Sequence, residues 1–416
     1  MKRSQSFVKT LREAPADEVS RSAQLLLRAG YIYKEMAGVY DFLPMGRKVL
    51  NNIIDVIREE MVALGGQEVE MSSLQPKDAW VKSGRWDDNV VDDWFKTKLH
   101  AGGELGLALT HEEAITNMLT SYISSYKDLP IYVFQFQKKF RNELRAKSGI
   151  MRTREFIMKD LYSFCTDKEQ HDIFYEKVAA SYINIFKRLG IGDTTYRTFA
   201  SGGSFSKFSD EFQTLTDAGE DIIYIDHEKN IALNEEVYNE EIFKMLNIDP
   251  KKLDKQKASE VGNIFTLGTK YSEALNLYYN DENGERKPVF MGSYGIGPAR
   301  SMGVIAEKTC DDKGLCWPEE IAPYKYYLIG IGSKGVEEAE KLYNLNPEEF
   351  IFDDREKARN GEKFADAELM GIPYRVVISD KTLENNQVEI VERKTGKQEL
   401  LTLDDFVRKL HKVSEK

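Results

Sequence analysis

From Ile131 to Glu143 the sequence alternates with a period of two. Tyr132, Phe134, Phe136 and Phe140 fall on one side, and Gln135, Gln137, Lys139, Arg141 and Glu143 on the other. After a short loop a second alternating run leads from Arg152 through Arg154, Phe156 and Met158 to Asp160. Successive side chains of a strand point to opposite faces. The two runs therefore predict an antiparallel hairpin with an aromatic face on a core and a second face dense in charge and amide groups. Arg141, Glu143, Arg152 and Arg154 cluster at two neighbouring strand ends, and converging guanidiniums suit bidentate binding of phosphate oxygens. The pattern alone is equally that of a solvated sheet face.

Other segments add structure to this picture. Leu50, Ile53, Ile54, Ile57, Met61 and Leu64 recur at helical spacing and predict a helix from Gly46 to Gly65, followed by a short strand over Gln67 to Met71. Met291-Gly292-Ser293-Tyr294-Gly295-Ile296-Gly297-Pro298-Ala299-Arg300 joins a strand (Pro288 to Met291) to a helix beginning near Pro298. Glycines allow close backbone approach to a ligand, proline suits a first helical turn, and Arg300 one turn inside can reach a phosphate near the helix start. A plain glycine-rich turn has the same composition. Gly330-Ile331-Gly332-Ser333-Lys334-Gly335 matches a dinucleotide fingerprint, with Asp353 and Asp354 at about the expected distance. Only about 90 residues follow the start of that strand, too few for a two-halved dinucleotide fold, which disfavours a nicotinamide or flavin oxidoreductase.

Composition narrows the class further. A chain of 416 residues predicts two or three domains, and 41% hydrophobic residues exclude wholesale disorder. The net charge of −11 argues against nonspecific coating of nucleic acid, though not against a specific enzyme with a local basic surface. No apolar run approaches the roughly 18 residues of a membrane span, and the basic start lacks the apolar stretch of a secretory signal. A cytoplasmic protein without membrane contact is expected. Three cysteines build no disulfide framework, and with Cys310 and Cys316 separated by five residues and the histidines scattered, no zinc is expected.

Taken in order, the motifs are similar to those of prolyl-tRNA synthetases of the bacterial type, members of the class II aminoacyl-tRNA synthetases. Leu26-Leu27-Arg28-Ala29-Gly30, Thr110-His111-Glu112-Glu113 and Gly268-Thr269-Lys270-Tyr271-Ser272 are shared segments. Phe140-Arg141-Asn142-Glu143 followed by Arg152-Thr153-Arg154-Glu155-Phe156 resembles class II motif 2, and Tyr294-Gly295-Ile296-Gly297 with Arg300 resembles motif 3. The resemblance spans nearly the whole chain. It implies an α+β fold: a catalytic domain on an antiparallel sheet with flanking helices over residues 1–323, and a C-terminal α/β anticodon-binding domain over 324–416. The helix from Gly46 and the strand ending at Met71 would be motif 1, the dimer-forming element, so a homodimer is implied. The implied activity is that of a proline–tRNA ligase, which joins L-proline to ATP as prolyl-adenylate and passes proline to the 3′ end of a proline-accepting tRNA.

The same resemblance assigns roles. Arg141, Glu143 and Arg300 would carry catalysis, with Arg141 on the α-phosphate and the proline carboxylate. Glu143, Arg152 and Thr153 would hold the nucleotide, Phe156 would stack on adenine, and Arg300 would meet the far phosphates. Glu211 and Gln213 would complete the ATP site, Glu211 holding a magnesium ion that bridges the phosphates. Thr110 and Glu112, two residues apart on a short strand, would accept both hydrogens of the protonated secondary amine. Ser293 and Gly295 would border the ring, with Asp210 in a covering loop. Arg355 and Lys363, within Phe352-Asp353-Asp354-Arg355 and Gly361-Glu362-Lys363-Phe364-Ala365-Asp366, would contact the anticodon.

The chain departs from the family pattern at several points. Asp210 stands where the family usually has histidine, Phe205-Ser206 where a glycine pair is usual, Ser72 at the motif 1 proline, and Ser293 at a cysteine common in bacterial relatives. Between motifs 2 and 3, Glu235 to Lys257 is short, polar and helical in pattern, where many relatives insert an editing domain. One missing methylene is worth only ~1–3 kcal/mol of discrimination, so occasional activation of alanine is expected without editing in cis, leaving clearance to a separate trans-editing protein. A sister synthetase for threonine is disfavoured by Thr110, Glu112 and the Gly268 to Ser272 segment. A non-catalytic paralogue that binds tRNA or amino acids as a regulator would predict loss of Arg141, Glu143 or Arg300, and all three are present.

Overall fold

The alternating runs pair as an antiparallel hairpin at the heart of a nine-stranded sheet. In the computed structural model, which describes residues 1–144, 146, 148–203 and 205–413, the strands are β1 (Gln67–Glu68), β2 (Ile131–Phe140), β3 (Glu155–Cys165), β4 (Thr195–Ser201), β5 (Phe208–Leu215), β6 (Asp221–Asp226), β7 (Ile231–Asn234), β8 (Asp254–Gly268) and β9 (Phe290–Ile296). They lie in the order β5-β4-β7-β6-β8-β9-β3-β2-β1, with β5 also paired to β8. Only β7–β4 and β1–β2 pair in parallel. The hairpin register runs from Ile131 opposite Phe164 to Phe140 opposite Glu155. The regular ladder ends there, with one further bond from the Arg141 amide to the Arg154 carbonyl oxygen at 2.9 Å, so Arg141, Glu143, Arg152 and Arg154 lie together at the end of the hairpin. The second strand begins at Glu155 rather than Arg152: Gly149–Met151 forms a single tight turn, and the Arg154 amide donates to the Gly38 carbonyl oxygen at 2.7 Å instead of to the hairpin.

One sheet face packs on a long helix. We label the helices α1 (Pro44–Ala63), α2 (Glu112–Leu119), α3 (Lys168–Arg188), α4 (Glu240–Leu246) and α5 (Pro298–Thr309). Phe174 of α3 stacks on Tyr132 with ring centroids 3.6 Å apart and meets the edge of Tyr294; Tyr182 of α3 packs on Phe212. The α1 helix has its expected buried stripe of Leu50, Ile53, Ile54, Ile57 and Met61. The strand expected over Gln67 to Met71 is shorter, with two residues paired to Val133 and Phe134; beyond them the Met71 amide donates to the Gln135 side chain. Residues 235–257 hold two single turns and α4, whose Ile242 and Phe243 pack with Leu233, Val237 and Ile248 before β8 begins at Asp254.

The other sheet face is not solvated, contrary to what charge alone would suggest. Gln135, Lys139 and Asp160 are all buried on it. Opposed residues of an antiparallel ladder share a face. Glu211 lies opposite Asn263 and Asn263 opposite Gly295, which places these three on the functional face.

Chain contacts divide the molecule into two units, one comprising 36–40 and 53–304 and holding the nine-stranded sheet, the other comprising 1–35, 41–52 and 305–416. The second has a five-stranded sheet of β10 (Tyr326–Ile331), β11 (Phe350–Phe352), β12 (Tyr374–Ser379), β13 (Gln387–Glu392) and β14 (Gln398–Thr402), in the order β11-β10-β12-β13-β14. Its core gathers Tyr326, Leu328, Phe350, Phe352, Val376, Ile378 and Phe406. The apparent dinucleotide fingerprint leads into a helix, α6 (Ser333–Leu345). A Cβ on Gly335 would meet the Ile378 carbonyl oxygen at 2.6 Å, and the Gly335 amide donates to Asp380. These features serve helix–strand packing, and a carboxylate already occupies the turn. Among the described residues no helix is long and apolar enough to cross a membrane.

At Gly46 in the first turns of α1, an added Cβ would lie 1.9 Å from the Tyr31 carbonyl oxygen, a backbone atom that accepts from the Leu43 amide. Gly46→Ala therefore lowers stability by about 1–3 kcal/mol, read as a lower thermal midpoint than wild type; an unchanged midpoint would contradict the close approach.

Candidate active site

Asp160 of β3 organises the floor of the site. It accepts from Gln135 Nε2 at 2.9 Å, Lys139 Nζ at 2.8 Å and the Tyr162 hydroxyl at 2.9 Å. Lys139 Nζ in turn lies 2.6 Å from His111 Nδ1, and His111 Nε2 lies 3.1 Å from the Ser72 carbonyl oxygen. An ammonium donates to one ring nitrogen and a carbonyl accepts from the other, so the ring is neutral with its proton on Nε2. Burial, reinforced by the Lys139 charge, pushes the His111 pKa down to about 4. Lys139 is itself held below its usual range by burial, against the pull of Asp160. Asp160 stays below the ordinary carboxylate range although burial opposes it, because the Lys139 charge and the hydrogen bonds from Gln135 and Lys139 outweigh that cost. The contact at Ser72 uses a backbone carbonyl, which proline would supply equally.

This floor carries the turn that holds Thr110 and Glu112. The expected short strand is absent there. His111 is the residue before α2, and Glu112 is the first residue of that helix. The two side chains nevertheless meet, since the Thr110 hydroxyl donates to Glu112 Oε2. Ser293 Oγ of β9 donates to Glu112 Oε1 at 3.2 Å. All three residues are buried. Glu112 is thus the hub, gripped on both oxygens.

Beside it stands Arg85, which sequence reading missed. Arg85 NH1 reaches Glu113 Oε1 at 3.1 Å and the Tyr271 hydroxyl at 2.9 Å. Phe205 packs on Phe265 and lies under the Arg85 guanidinium. A single buried arginine between loops leaves no periodic trace; its neighbours Glu113, Phe205 and Tyr271 lie in segments already noted.

The cationic end forms a continuous cleft lined by Arg141, Glu143, Arg152, Thr153, Phe156, Gly295 and Arg300. The Arg141 guanidinium lies 5.3 Å from the centre of the Phe156 ring. Burial, then the Arg300 charge, lower its pKa, the signature of cations converging on one space. Arg300 is braced by Nε to the Met151 carbonyl at 2.9 Å and by NH1 to the carboxylate of Glu260 at 3.2 Å. Arg152 pairs with Glu143 at 2.9 Å and with Glu220. Glu211 accepts from Gln213 Nε2 at 2.8 Å and Asn234 Nδ2 at 3.0 Å. Burial and the neighbouring charge of Glu260 raise the Glu211 carboxyl to about 8. Glu260 and Asn234 were not singled out from sequence; they lie on β8 and β7, and the first four residues of β8 fall within the stretch expected to be helical.

Three expected contacts are corrected. Asp210 lies opposite Ile264, on the face toward α3, where it accepts from Arg197 at 2.7 Å and from the Tyr175 hydroxyl at 2.9 Å. Strand alternation places it away from the pocket that Glu211 faces. Lys363 is buried and gives Nζ to the Asp353 carbonyl oxygen at 3.0 Å, so it is not available to nucleic acid. Arg355 is committed to Asp353 at 2.6 Å and Asp366 at 2.8 Å. Both side chains hold their own loop together, although the charge pattern resembled a recognition edge.

Residues 95–309 match the family model described as the tRNA synthetase class II core domain (G, H, P, S and T), and residues 325–413 match the anticodon binding domain. The chain is 36% identical to a proline–tRNA ligase of Wolbachia sp. subsp. Drosophila simulans, over 98% of this chain and 99% of that one. It is 38% identical to a proline–tRNA ligase of Rickettsia bellii, over 96% of both. A prolyl-tRNA synthetase of Cryptosporidium parvum, solved with halofuginone and AMPPNP, shares the fold with a TM-score of 0.76 at 17% identity, covering 95% of this chain and 76% of that one.

The neutral His111 makes a pH prediction. Its folded pKa of about 4 lies below the ordinary 6.5, so between those values the unfolded chain binds more protons than the folded one. Its contribution is fully present above pH 6.5 and is lost as pH falls toward 4, on the order of 3 kcal/mol at the limit. Stability measured by denaturant at pH 7 and pH 5 falls less for His111→Gln than for wild type; equal losses would sink the assignment.

Proposed function

The chain belongs to the proline–tRNA ligases, and from that premise we propose that it activates L-proline with ATP and transfers the prolyl group to the 3′ end of a proline-accepting tRNA. One observation carries the site assignment: a buried carboxylate hub, Glu112 with Thr110 and Ser293, lies on the same sheet face as a cleft lined by Arg141 and Arg300. An anionic pocket for an ammonium and a cationic cleft for phosphates are the two halves that an amino-acid activating enzyme requires.

In the first step a proline carboxylate oxygen attacks the α-phosphorus, the bond to the bridging oxygen breaks, and pyrophosphate leaves. Arg141 is assigned to the α-phosphate and the carboxylate, where charge concentrates in the transition state; a fixed cation there favours that state over the ground state. Arg300 is assigned to the departing phosphates, Glu143, Arg152 and Thr153 to the nucleotide, and Phe156 to the adenine face. Positioning and electrostatics suffice, and no protein nucleophile is required. In the second step a terminal ribose hydroxyl of the tRNA attacks the adenylate carbonyl, and AMP leaves. Glu112 is assigned to the proline ammonium, with Ser293 and Gly295 beside the ring.

Magnesium fits the residues present. The Glu211 carboxyl is pushed up to about 8 by burial and by Glu260, a site poised to exchange its proton for a cation, with Gln213 and Asn234 fixing one oxygen. No group of three metal-ligating side chains converges among the described residues, but a magnesium ion that takes oxygens from phosphates and water needs only one or two carboxylates. Bound there, it would neutralise phosphate charge. We assign anticodon recognition to residues 324–416, a homodimer to the assembly and the cytoplasm to the location. Clearance of alanyl-tRNA is assigned to a separate protein, in keeping with the short 235–257 stretch.

Two measurements test this reading. Exchange of pyrophosphate into ATP, run separately with each standard amino acid, is strong with proline and faint with alanine, and Arg141→Ala lowers it by about 10²–10³-fold. Silence with proline from folded protein would overturn the assignment. Alanyl-tRNA incubated with the enzyme alone persists as it does in buffer, whereas rapid hydrolysis would show editing in cis.

A further inference from the structure

Behind the Glu112 hub lies a second buried carboxylate, Glu113, and Arg85 stands between the two. Arg85 NH1 is 3.1 and 3.3 Å from the two oxygens of Glu113 and 3.7 Å from Glu112 Oε2. Its guanidinium sits among the rings of Trp80, Phe205 and Tyr271, 4.9, 5.1 and 5.8 Å from their centres. Arg85 is 4% exposed, and its Nε is buried with no hydrogen-bond partner. Packing does not explain it. A buried ion pair returns little net stability over an apolar replacement, and an unmet buried donor adds to the cost.

Charge counting does explain it. Two carboxylates and one guanidinium leave this pocket with a single negative charge. We propose that Arg85 is a positioning residue for amino-acid recognition: it cancels Glu113 and so leaves Glu112 free to meet one cationic amine. This inference rests on the reading of Glu112 as the anchor for proline. Without Arg85, two neighbouring buried carboxylates share a proton at neutral pH, and that proton competes with the substrate amine. Without the charge on Glu113, Arg85 turns to Glu112, already 3.7 Å away, and occupies the group the amine requires. Either change alone spoils the count, whereas both together restore it.

The test is a double-mutant cycle on the full-length enzyme, reading KM for proline and KM for ATP by pyrophosphate exchange, with thermal midpoints as a folding control. Arg85→Met and Glu113→Gln each raise KM for proline about tenfold or more while KM for ATP stays nearly constant. The double variant returns to within about threefold of wild type, a non-additivity that loss of packing does not produce. A double variant as impaired as the worse single, or singles with unaltered KM for proline, would overturn the inference. If Arg85→Met does not fold, Glu113→Gln and the double variant still decide it: an unchanged KM in Glu113→Gln, or a folded double variant no better than it, overturns the proposal. Absence of proline-dependent exchange in wild type would instead overturn the underlying reading of the site.

Discussion

A lysine with no solvent exposure, Lys139, bound between Asp160 and His111, is the contact on which this site depends. It ties the two strands of the central hairpin to the turn before α2 and, through His111, to the backbone at Ser72. Removing one partner of such a buried pair costs about 3–5 kcal/mol, because the other charge is left in a low dielectric without compensation. The same cost makes the arrangement specific: a shift of one residue in the hairpin register would put Lys139 and Asp160 on opposite faces. The register is therefore held by electrostatics as well as by the aromatic packing on α3.

With that floor in place, the site divides into two electrostatic halves. Around Glu112 the groups sum to a negative pocket walled by aromatic rings. Around Arg141 and Arg300 the cations converge, and burial, then the Arg300 charge, lower the pKa of Arg141. The acidic members of that second half, Glu143, Glu211 and Glu260, hold its polar side chains in place: Glu143 pairs with Arg152, Glu260 with Arg300, and Glu211 accepts from Gln213 and Asn234. A chain with a net charge of −11 can thus present a local cationic cleft, because field strength in a cleft depends on neighbours rather than on totals.

In the second unit, two local patterns that look like ligand sites are taken up by partners within the fold. The glycines from Gly330 to Gly335 satisfy helix–strand packing, and Asp380 fills the turn in which a phosphate would lie. Arg355 and Lys363 look like a recognition edge in sequence, but Asp353 and Asp366 consume them. Sequence shows that charges are present; whether they face outward depends on what packs beside them.

The sequence by itself determined the hairpin, the α1 stripe and the motif order, because periodicity of two or of 3.6 is written residue by residue. It also grouped Arg141, Glu143, Arg152 and Arg154 at neighbouring strand ends, a local signal, whereas Thr153, Phe156 and Arg300 joined that group only through the family resemblance. Only the tertiary structure decided that Thr110 and Glu112 share a helix start rather than a strand, and that Asp210 faces α3. It alone revealed that Arg85 stands beside Tyr271, and that Glu260 and Asn234 brace Arg300 and Glu211. Those facts depend on which side of a nine-stranded sheet a residue faces and on contacts between loops more than 100 residues apart, such as that of Arg85 with Tyr271 across 186 positions. Local pattern carries no such information, because burial of a charge is set by partners that the fold brings together.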